Sequence, residues 1–197
     1  RQSYRKIAPY CVKILLFLIA FIPFFIGSQS VYRFNNYTIN NGLSQSSVNT
    51  ILQDENSALW IGTQDGLNRF DGEKFEVFNS DEIDGIDNPF ITSSAKTSDG
   101  RLWFGTKNGL TVYNIDTEVF RTHTPDNKNN LDITSLSIGN DQEIWISTTN
   151  QGVLRYNPKK KSFVSVDWGN STTDINSVTL FNDFLIIRTG AQELYLY

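Results

Sequence analysis

The pentapeptide Leu59-Trp60-Ile61-Gly62-Thr63 decides the fold, because the sequence repeats it at a nearly fixed interval. It returns as Leu102-Trp103-Phe104-Gly105-Thr106 and as Ile144-Trp145-Ile146-Ser147-Thr148. A fourth segment, Leu185-Ile186-Ile187-Arg188-Thr189, keeps the frame without the tryptophan. The steps between aligned positions are 43, 42 and 41 residues. Self-similarity at a period of about 40 residues indicates a repeat architecture.

Within each repeat the apolar residues alternate with polar ones, which predicts strands rather than helices. The third repeat predicts strands over 133–138, 143–148, 152–157 and 162–166. Glycine, asparagine and aspartate stand at the joints, as tight hairpin turns require. Four short antiparallel strands in about 42 residues are typical of a β-propeller blade. We therefore predict an all-β propeller with about four blades, at about 47–80, 90–124, 132–167 and 174–197, the last incomplete.

The repeated motif also predicts how blades pack. We expect the tryptophan to fill the gap between neighbouring blades, and Gly62 and Gly105 to permit close approach of the next sheet. The fourth repeat has Ile186 and Arg188 at these positions, so we expect looser packing there.

The first repeat resembles the two-component regulator propeller repeat. Asn41–Asp54 matches the opening of that repeat and Leu59–Gly72 its core, with Asn40 and Asn41 in place of an Asn-Asp pair. Leu102–Tyr113 matches with Thr111 and Val112 substituted, and the later repeats depart further. The resemblance covers residues 31–197.

That resemblance implies a periplasmic sensor region of a hybrid two-component histidine kinase of Bacteroidetes-type bacteria. Such regions contain seven-bladed propellers, sense ligands that are often oligosaccharides, and precede a membrane helix and a kinase. Some relatives have a diguanylate cyclase instead of the kinase. It further implies a homodimer in the full-length receptor, attached to the inner membrane. The remaining blades and the signalling domains of the same chain would be its partners.

The first thirty residues predict an export signal. A basic start, an apolar run over 14–26 and small residues near Ser30 are the three parts of a signal peptide, here residues 1–30. An uncleaved anchor is the alternative, although the run is shorter than the roughly 20 residues that span a membrane. Residues 31–37 resemble an outer strand without a blade of its own. Because the chain starts at Arg1 rather than Met, we expect a fragment of a seven-bladed ring; a closed four-bladed ring is the alternative.

Composition narrows the chemistry. The net charge of −4 and pI of 5.0 argue against nucleic-acid binding. One cysteine and one histidine exclude zinc clusters within the chain, and we predict no cofactor or metal. His123 is expected to be a solvated strand residue. Asp81, Glu82, Asp84 and Asp87 crowd one loop without the spacing of a calcium loop.

Polar loops predict where a ligand would bind. The turns at 64–65, 107–108 and 150–151 and the links at 79–90, 125–132 and 167–174 should share one face of the propeller. Trp168 lies in one link, where it would either stack on a sugar or pack at an edge. No individual binding or catalytic residue is assigned. The sequence thus predicts an exported sensory module for an oligosaccharide or small molecule; a secreted lyase or glycosidase, or an interaction propeller, is the alternative.

Overall fold

A computed structural model of the protein describes residues 33–79, 85–125, 130–182 and 184–197. Two compact units divide the chain, one over Arg1–Asn36 and one over Tyr37–Tyr197. The predicted signal peptide, residues 1–30, lies outside the described residues. In the part of the first unit that is described, residues 33–36 form neither helix nor strand. Among all described residues, no helix has the length and apolarity needed to cross a membrane.

The second unit opens with a short 3-10 helix, Ile39–Asn41, and continues entirely in strands. The first sheet contains β1 Val48–Gln53, β2 Leu59–Thr63, β3 Gly66–Phe70 and β4 Phe75–Phe78. The second contains β5 Ile91–Lys96, β6 Leu102–Thr106, β7 Gly109–Asn114 and β8 Val119–His123. The third contains β9 Ile133–Ile138, β10 Ile144–Thr148, β11 Val153–Asn157 and β12 Ser162–Ser165. The fourth contains β13 Ile175–Phe181, β14 Phe184–Thr189 and β15 Leu194–Leu196.

Each sheet is one propeller blade. Its strands pair antiparallel in chain order, and no strand crosses to another sheet. The first strands of consecutive blades are neighbours, which places β1, β5, β9 and β13 on the inner side of the array. The predicted fold class is confirmed, and the strand bounds of the third repeat agree with the prediction within one residue.

The tryptophan motif packs as predicted. Trp60 is fully buried and contacts Tyr113 and Phe104 of the next blade at ring-centroid distances of 4.7 and 5.9 Å. A Cβ on Gly62 would meet Ile91 Cγ2 at 2.5 Å, so only glycine allows the second blade this close. Gly105 is confined by Ile133 of the third blade in the same way. The blades therefore form their cores by facing one another.

The motif threonines hold the hairpin turns. Thr63 Oγ1 donates to the carbonyl of Gly66 at 2.9 Å and accepts the N–H of Asp65. Thr106 and Thr148 repeat this arrangement in the next two blades. Because these hydroxyls are buried and paired on both sides, each fixes the turn that follows its strand.

The predicted outer strand at 31–37 has no counterpart among the described residues. Residues 33–37 belong to no strand, and residues 31 and 32 lie outside the described residues. A strand exists only where a neighbouring backbone supplies hydrogen bonds. Its pairing with a last blade therefore stays a prediction.

Candidate ligand-binding face

The turns between second and third strands lie against the links between blades. Gly66 N–H donates to the carbonyl of Pro89 at 2.8 Å, which joins the first such turn to the following link. Lys107 N–H donates to the carbonyl of Phe90, and Gly152 N–H to that of Thr173. The predicted turns and links therefore share one face, which we call the link face.

A β-bulge stands where each inner strand reaches the link face. In every blade the pairing of the first strand with the second skips one residue. The four skipped residues are all polar: Asn49, Thr92, Thr134 and Asn176. Bulges re-aim side chains and are frequent next to functional sites. We call these four residues the bulge ring.

The bulge ring also ties blades together. Asn49 Nδ2 donates to the carbonyl of Ile91 in the next blade at 2.8 Å. Thr134 Oγ1 donates to the carbonyl of Ile175 in the next blade at 2.6 Å. A ligand that displaced either contact would therefore alter the joint between two blades.

A shallow cavity of about 300 Å³ opens at the bulge ring. Its walls are Asn49, Phe90, Thr92, Lys107, Ile133 and Thr134. This volume is near the lower end of small-molecule pockets, roughly 300–1,000 Å³. The cavity joins one aromatic ring and one cation to hydroxyl and amide groups, a combination that suits a polar organic ligand.

A fixed carboxylate stands behind the cation of this cavity. Lys107 Nζ lies 3.0 Å from Asp132 Oδ2 and 5.5 Å from the centroid of the Phe90 ring. The other oxygen, Asp132 Oδ1, is buried and accepts no hydrogen bond from the described residues. Asp132 therefore holds the lysine from outside the cavity walls.

The structure decides between the two alternatives for Trp168 and corrects the environment expected for His123. Trp168 is only 7% exposed and packs edge-on against Tyr195 at 5.1 Å, so it belongs to the core of the fourth blade and not to a sugar platform. His123 lies on strand β8 as expected, but it is partly buried rather than fully solvated. Its ring lies 5.2 Å from the Tyr156 ring and 6.5 Å from the Trp103 ring, between the second and third blades.

Other acidic residues behave as turn formers. Asp71 accepts the N–H groups of Lys74 and Glu73, and these bonds hold the pKa of Asp71 below its usual value. In the turn at 97–101, Thr97 N–H donates to the carbonyl of Arg101, as in a simple hairpin. Of the crowded acidic loop, Asp81, Glu82 and Asp84 lie outside the described residues. Within the described residues, no cluster of acidic, histidine or cysteine side chains is arranged to hold a metal ion.

Neither the bulge ring nor Asp132 was singled out from the sequence. A signal was present, because Val48, Ile91, Ile133 and Ile175 are each followed by a polar residue. Alternation alone assigns those residues to one side of a regular strand, and it does not reveal a bulge. Asp132 was covered only as part of a polar link.

Four-stranded blades packed through tryptophan and glycine, with polar loops on one face, define the class of repeat propellers. Within that class, residues 42–65 and 85–108 match the family described as two component regulator propeller. Those two stretches begin the first and second blades. These two stretches are thus similar to two-component regulator propeller repeats.

Known proteins support the same assignment. The chain is 43% identical over 68 residues to histidine kinase P4 of Formosa agariphila, a match that covers 34% of this chain and 5% of that protein. The fold is similar to an extracellular domain assigned to a hybrid two component system of B. thetaiotaomicron, with a TM-score of 0.74 and 22% identity. A second extracellular domain, assigned to a one component system of that organism, has a TM-score of 0.66 and 24% identity.

Each of these matches spans only a small part of the similar protein. The two structural matches cover 82% and 86% of this chain but only 24% and 22% of the solved chains. The chain thus spans about a quarter or less of the length of each of these three proteins. At these identities the solved structures show the fold alone.

Proposed function

We propose that this chain is the extracytoplasmic sensory propeller of a membrane-bound two-component receptor. The observation that carries the proposal is the repeat match at 42–65 and 85–108 together with the 43% identity to a histidine kinase. In this proposal the chain has no catalytic role of its own, and a kinase or a cyclase follows in the same protein. The propeller is exported, and its remaining blades and a second copy of the receptor complete the sensor.

The link face is the proposed ligand site, centred on the bulge ring. Carboxylate oxygens accept hydrogen bonds from sugar hydroxyls, and lysine and amide groups donate to sugar oxygens. Lys107 and Asn49 line the cavity and supply such donors, and Asp132 Oδ2 holds Lys107 at 3.0 Å. An oligosaccharide end or another polyhydroxylated small molecule fits this chemistry.

The contacts of the bulge ring provide a route by which ligand binding would be relayed from one blade to the next. Asn49 and Thr134 bond to the backbone of the following blade. A ligand that engages them changes the relative free energies of two blade arrangements, which is what a sensor requires. A secreted lyase or glycosidase of the same fold remains the competing function. It would need convergent acid–base groups, and none of the described residues that line the cavity beside His123 is an aspartate or a glutamate.

A binding experiment tests the proposal. The full-length protein is screened by thermal shift against neutral and acidic oligosaccharides, and any hit is titrated by calorimetry into the Asp132→Asn variant. We expect affinity to fall about tenfold or more, because Lys107 loses the charged partner that positions it in the cavity. Asp116→Asn, in the exposed turn between β7 and β8 on the opposite face, is the control and should bind normally. Cleavage of the saccharide, with retained binding in Asp132→Asn, would support the enzyme instead.

A further inference from the structure

A second cavity lies between the second and third blades, toward their outer strands and away from the link face. It encloses about 280 Å³. Trp103 and Tyr156 are its buried aromatic residues, and His123 stands beside them on β8. Val112, Asn114, Thr117, Val119 and Pro158 complete the walls, together with three basic side chains described next. We call this cavity the lateral cleft.

Three basic side chains line the lateral cleft, and none of the described residues that line it carries a carboxylate. Arg101, Arg121 and Lys161 line it, although the whole chain has a net charge of −4. Arg121 and Lys161 join none of the ion pairs found among the described residues. Arg101 Nε lies 3.5 Å from Asp99 Oδ2, but this pair is largely exposed, and exposed pairs contribute little. The positive charge of these three side chains is therefore not neutralised by the described residues that line the cleft.

The same positions one repeat earlier show that the blade does not need these charges. Strand pairing places Phe78 where the second blade has His123, and Glu76 where it has Arg121. In the turns before the outer strands, Glu118 occupies the position that Lys161 holds one blade later. Phe78 stacks on Trp60 at 5.5 Å in the space that corresponds to the lateral cleft. One repeat fills the space with an aromatic ring and acidic neighbours, and the next leaves it open with basic neighbours.

The pKa shifts of His123 and Tyr156 reflect their burial and the positive charges around the cleft. Burial lowers the pKa of His123 most, and the charges of Lys161 and Arg121 lower it further. Burial raises the pKa of Tyr156 to about 12, against a smaller opposing effect of Arg101. Arg101, Arg121, Lys161 and Tyr156 are thus the charged or titratable groups that face the imidazole. The charges of Lys161 and Arg121, which disfavour a proton on His123, would stabilise an anion beside it.

We infer that the lateral cleft binds a small organic anion, with a carboxylate, sulfate or phosphate group held by Arg121, Lys161 and Arg101 and its carbon frame against His123. Arginine forms paired hydrogen bonds to such groups, and lysine supplies a point charge. The volume suits a molecule of one sugar ring or less. This site lies apart from the link face and does not depend on the sensory function proposed above.

Titration calorimetry on the full-length protein tests the inference with D-glucuronate, which is glucose with a carboxylate, and with D-glucose as the neutral counterpart. We expect glucuronate to bind and glucose not to bind. Arg121→Glu and Lys161→Glu, which install the charges of the preceding repeat, should each weaken glucuronate binding about tenfold or more. His123→Phe should abolish binding by filling the cleft. Thermal unfolding of each variant checks that the fold is retained.

Lys160→Glu is the matched control. Lys160 is an exposed residue of the same turn, its side chain does not line the cleft, and the charge change is identical. It should leave the affinity within about twofold, because exposed charges at a distance are screened by salt. Competition by inorganic sulfate would show that the charge alone is recognised; binding of glucuronate without such competition would assign the site to carboxylates. Equal binding of glucose, unchanged affinity in Arg121→Glu and Lys161→Glu, or an equal loss in Lys160→Glu would each overturn the inference.

Discussion

The two blade interfaces formed by tryptophans of the full motif differ, although they use the same frame. Between the first and second blades, Trp60 is surrounded by Phe78, Phe104, Tyr113 and Phe120, with ring centroids within 6.3 Å. Between the second and third blades, Trp103 has Tyr156 at 5.6 Å and His123 at 6.5 Å, next to an open cleft. The inner part of a blade interface is thus set by the repeat, and its outer part is free to vary.

The tryptophan indoles also differ in their hydrogen bonds. Trp60 Nε1 donates to the buried carboxylate of Asp54 at 2.8 Å, whereas Trp103 Nε1 donates to the hydroxyl of Thr97 at 3.1 Å. A bond to a charged acceptor is the stronger kind. The first interface is thus built for stability, and the second exchanges some of that stability for an accessible site.

The largest expected effect comes from truncating the closed interface. Trp60→Ala removes a fully buried ring with four aromatic contacts and leaves Asp54 without its indole partner. We expect the propeller to lose about 3–5 kcal/mol of unfolding free energy. Chemical denaturation of the full-length protein measures this loss. Trp103→Ala is the comparison, since Trp103 has fewer aromatic neighbours and donates to an uncharged acceptor. An equal loss there would refute the ranking of the interfaces.

The inner parts of the two interfaces should respond alike. Gly62→Ala and Gly105→Ala each force a methyl group against the first strand of the next blade, at Ile91 and Ile133 respectively. Overpacking of this kind costs about 1–3 kcal/mol. Denaturation midpoints of the two variants should therefore fall by similar amounts. A large effect in one and none in the other would show that the blades do not share a common inner contact.

Exchanging histidine and phenylalanine in the outer parts of the two interfaces should change the melting temperature in opposite directions. His123→Phe introduces the ring that Phe78 supplies one repeat earlier, beside Trp103 and Tyr156. An added aromatic pair contributes about 0.5–1.5 kcal/mol, so we expect a higher melting temperature. The reciprocal Phe78→His should lower it. If His123→Phe destabilises the protein, the lateral cleft does not have the shape of the filled interface.

The smallest expected effect is a pH dependence confined to the second interface. The pKa of His123 is lowered from its ordinary value of 6.5, chiefly by burial and then by Lys161 and Arg121. Below that pH the unfolded chain binds more protons than the folded one, so acidification destabilises the fold. We expect wild-type stability to fall as pH drops through 6.5, and His123→Phe to lose part of that slope. Melting curves across this range provide the measurement; identical slopes would contradict the assignment.

Much of the fold could be predicted from the sequence because each repeat contains the same residues at the positions where neighbouring blades contact. Trp60, Gly62 and their equivalents indicated the blade interfaces, and alternation with turn residues gave the strands. The candidate site was harder to predict from the sequence. Bulges at Asn49 and Thr92 interrupt the alternation by one residue, and nothing in the composition marks that shift.

The burial and the neighbours of individual side chains also could not be predicted from the sequence. Trp168 was open to two interpretations because a link can either cross the surface or pack beneath it, and its burial depends on Tyr195 about one strand pair later. His123 was misjudged because its neighbour Tyr156 belongs to another repeat. The charge reversal from Glu76 to Arg121 was visible in the sequence. It gained meaning only when the structure placed a cleft between those blades.

The sensory role itself is tested most directly by ligand-dependent phosphorylation of the full-length receptor in membranes. A saccharide that binds the link face should change the rate of autophosphorylation in the wild type, and Asp132→Asn should need a higher ligand concentration for the same response. Asp116→Asn should respond as the wild type does. A saturating ligand that leaves phosphorylation unchanged in the wild-type receptor would contradict the proposal that this propeller is a sensor.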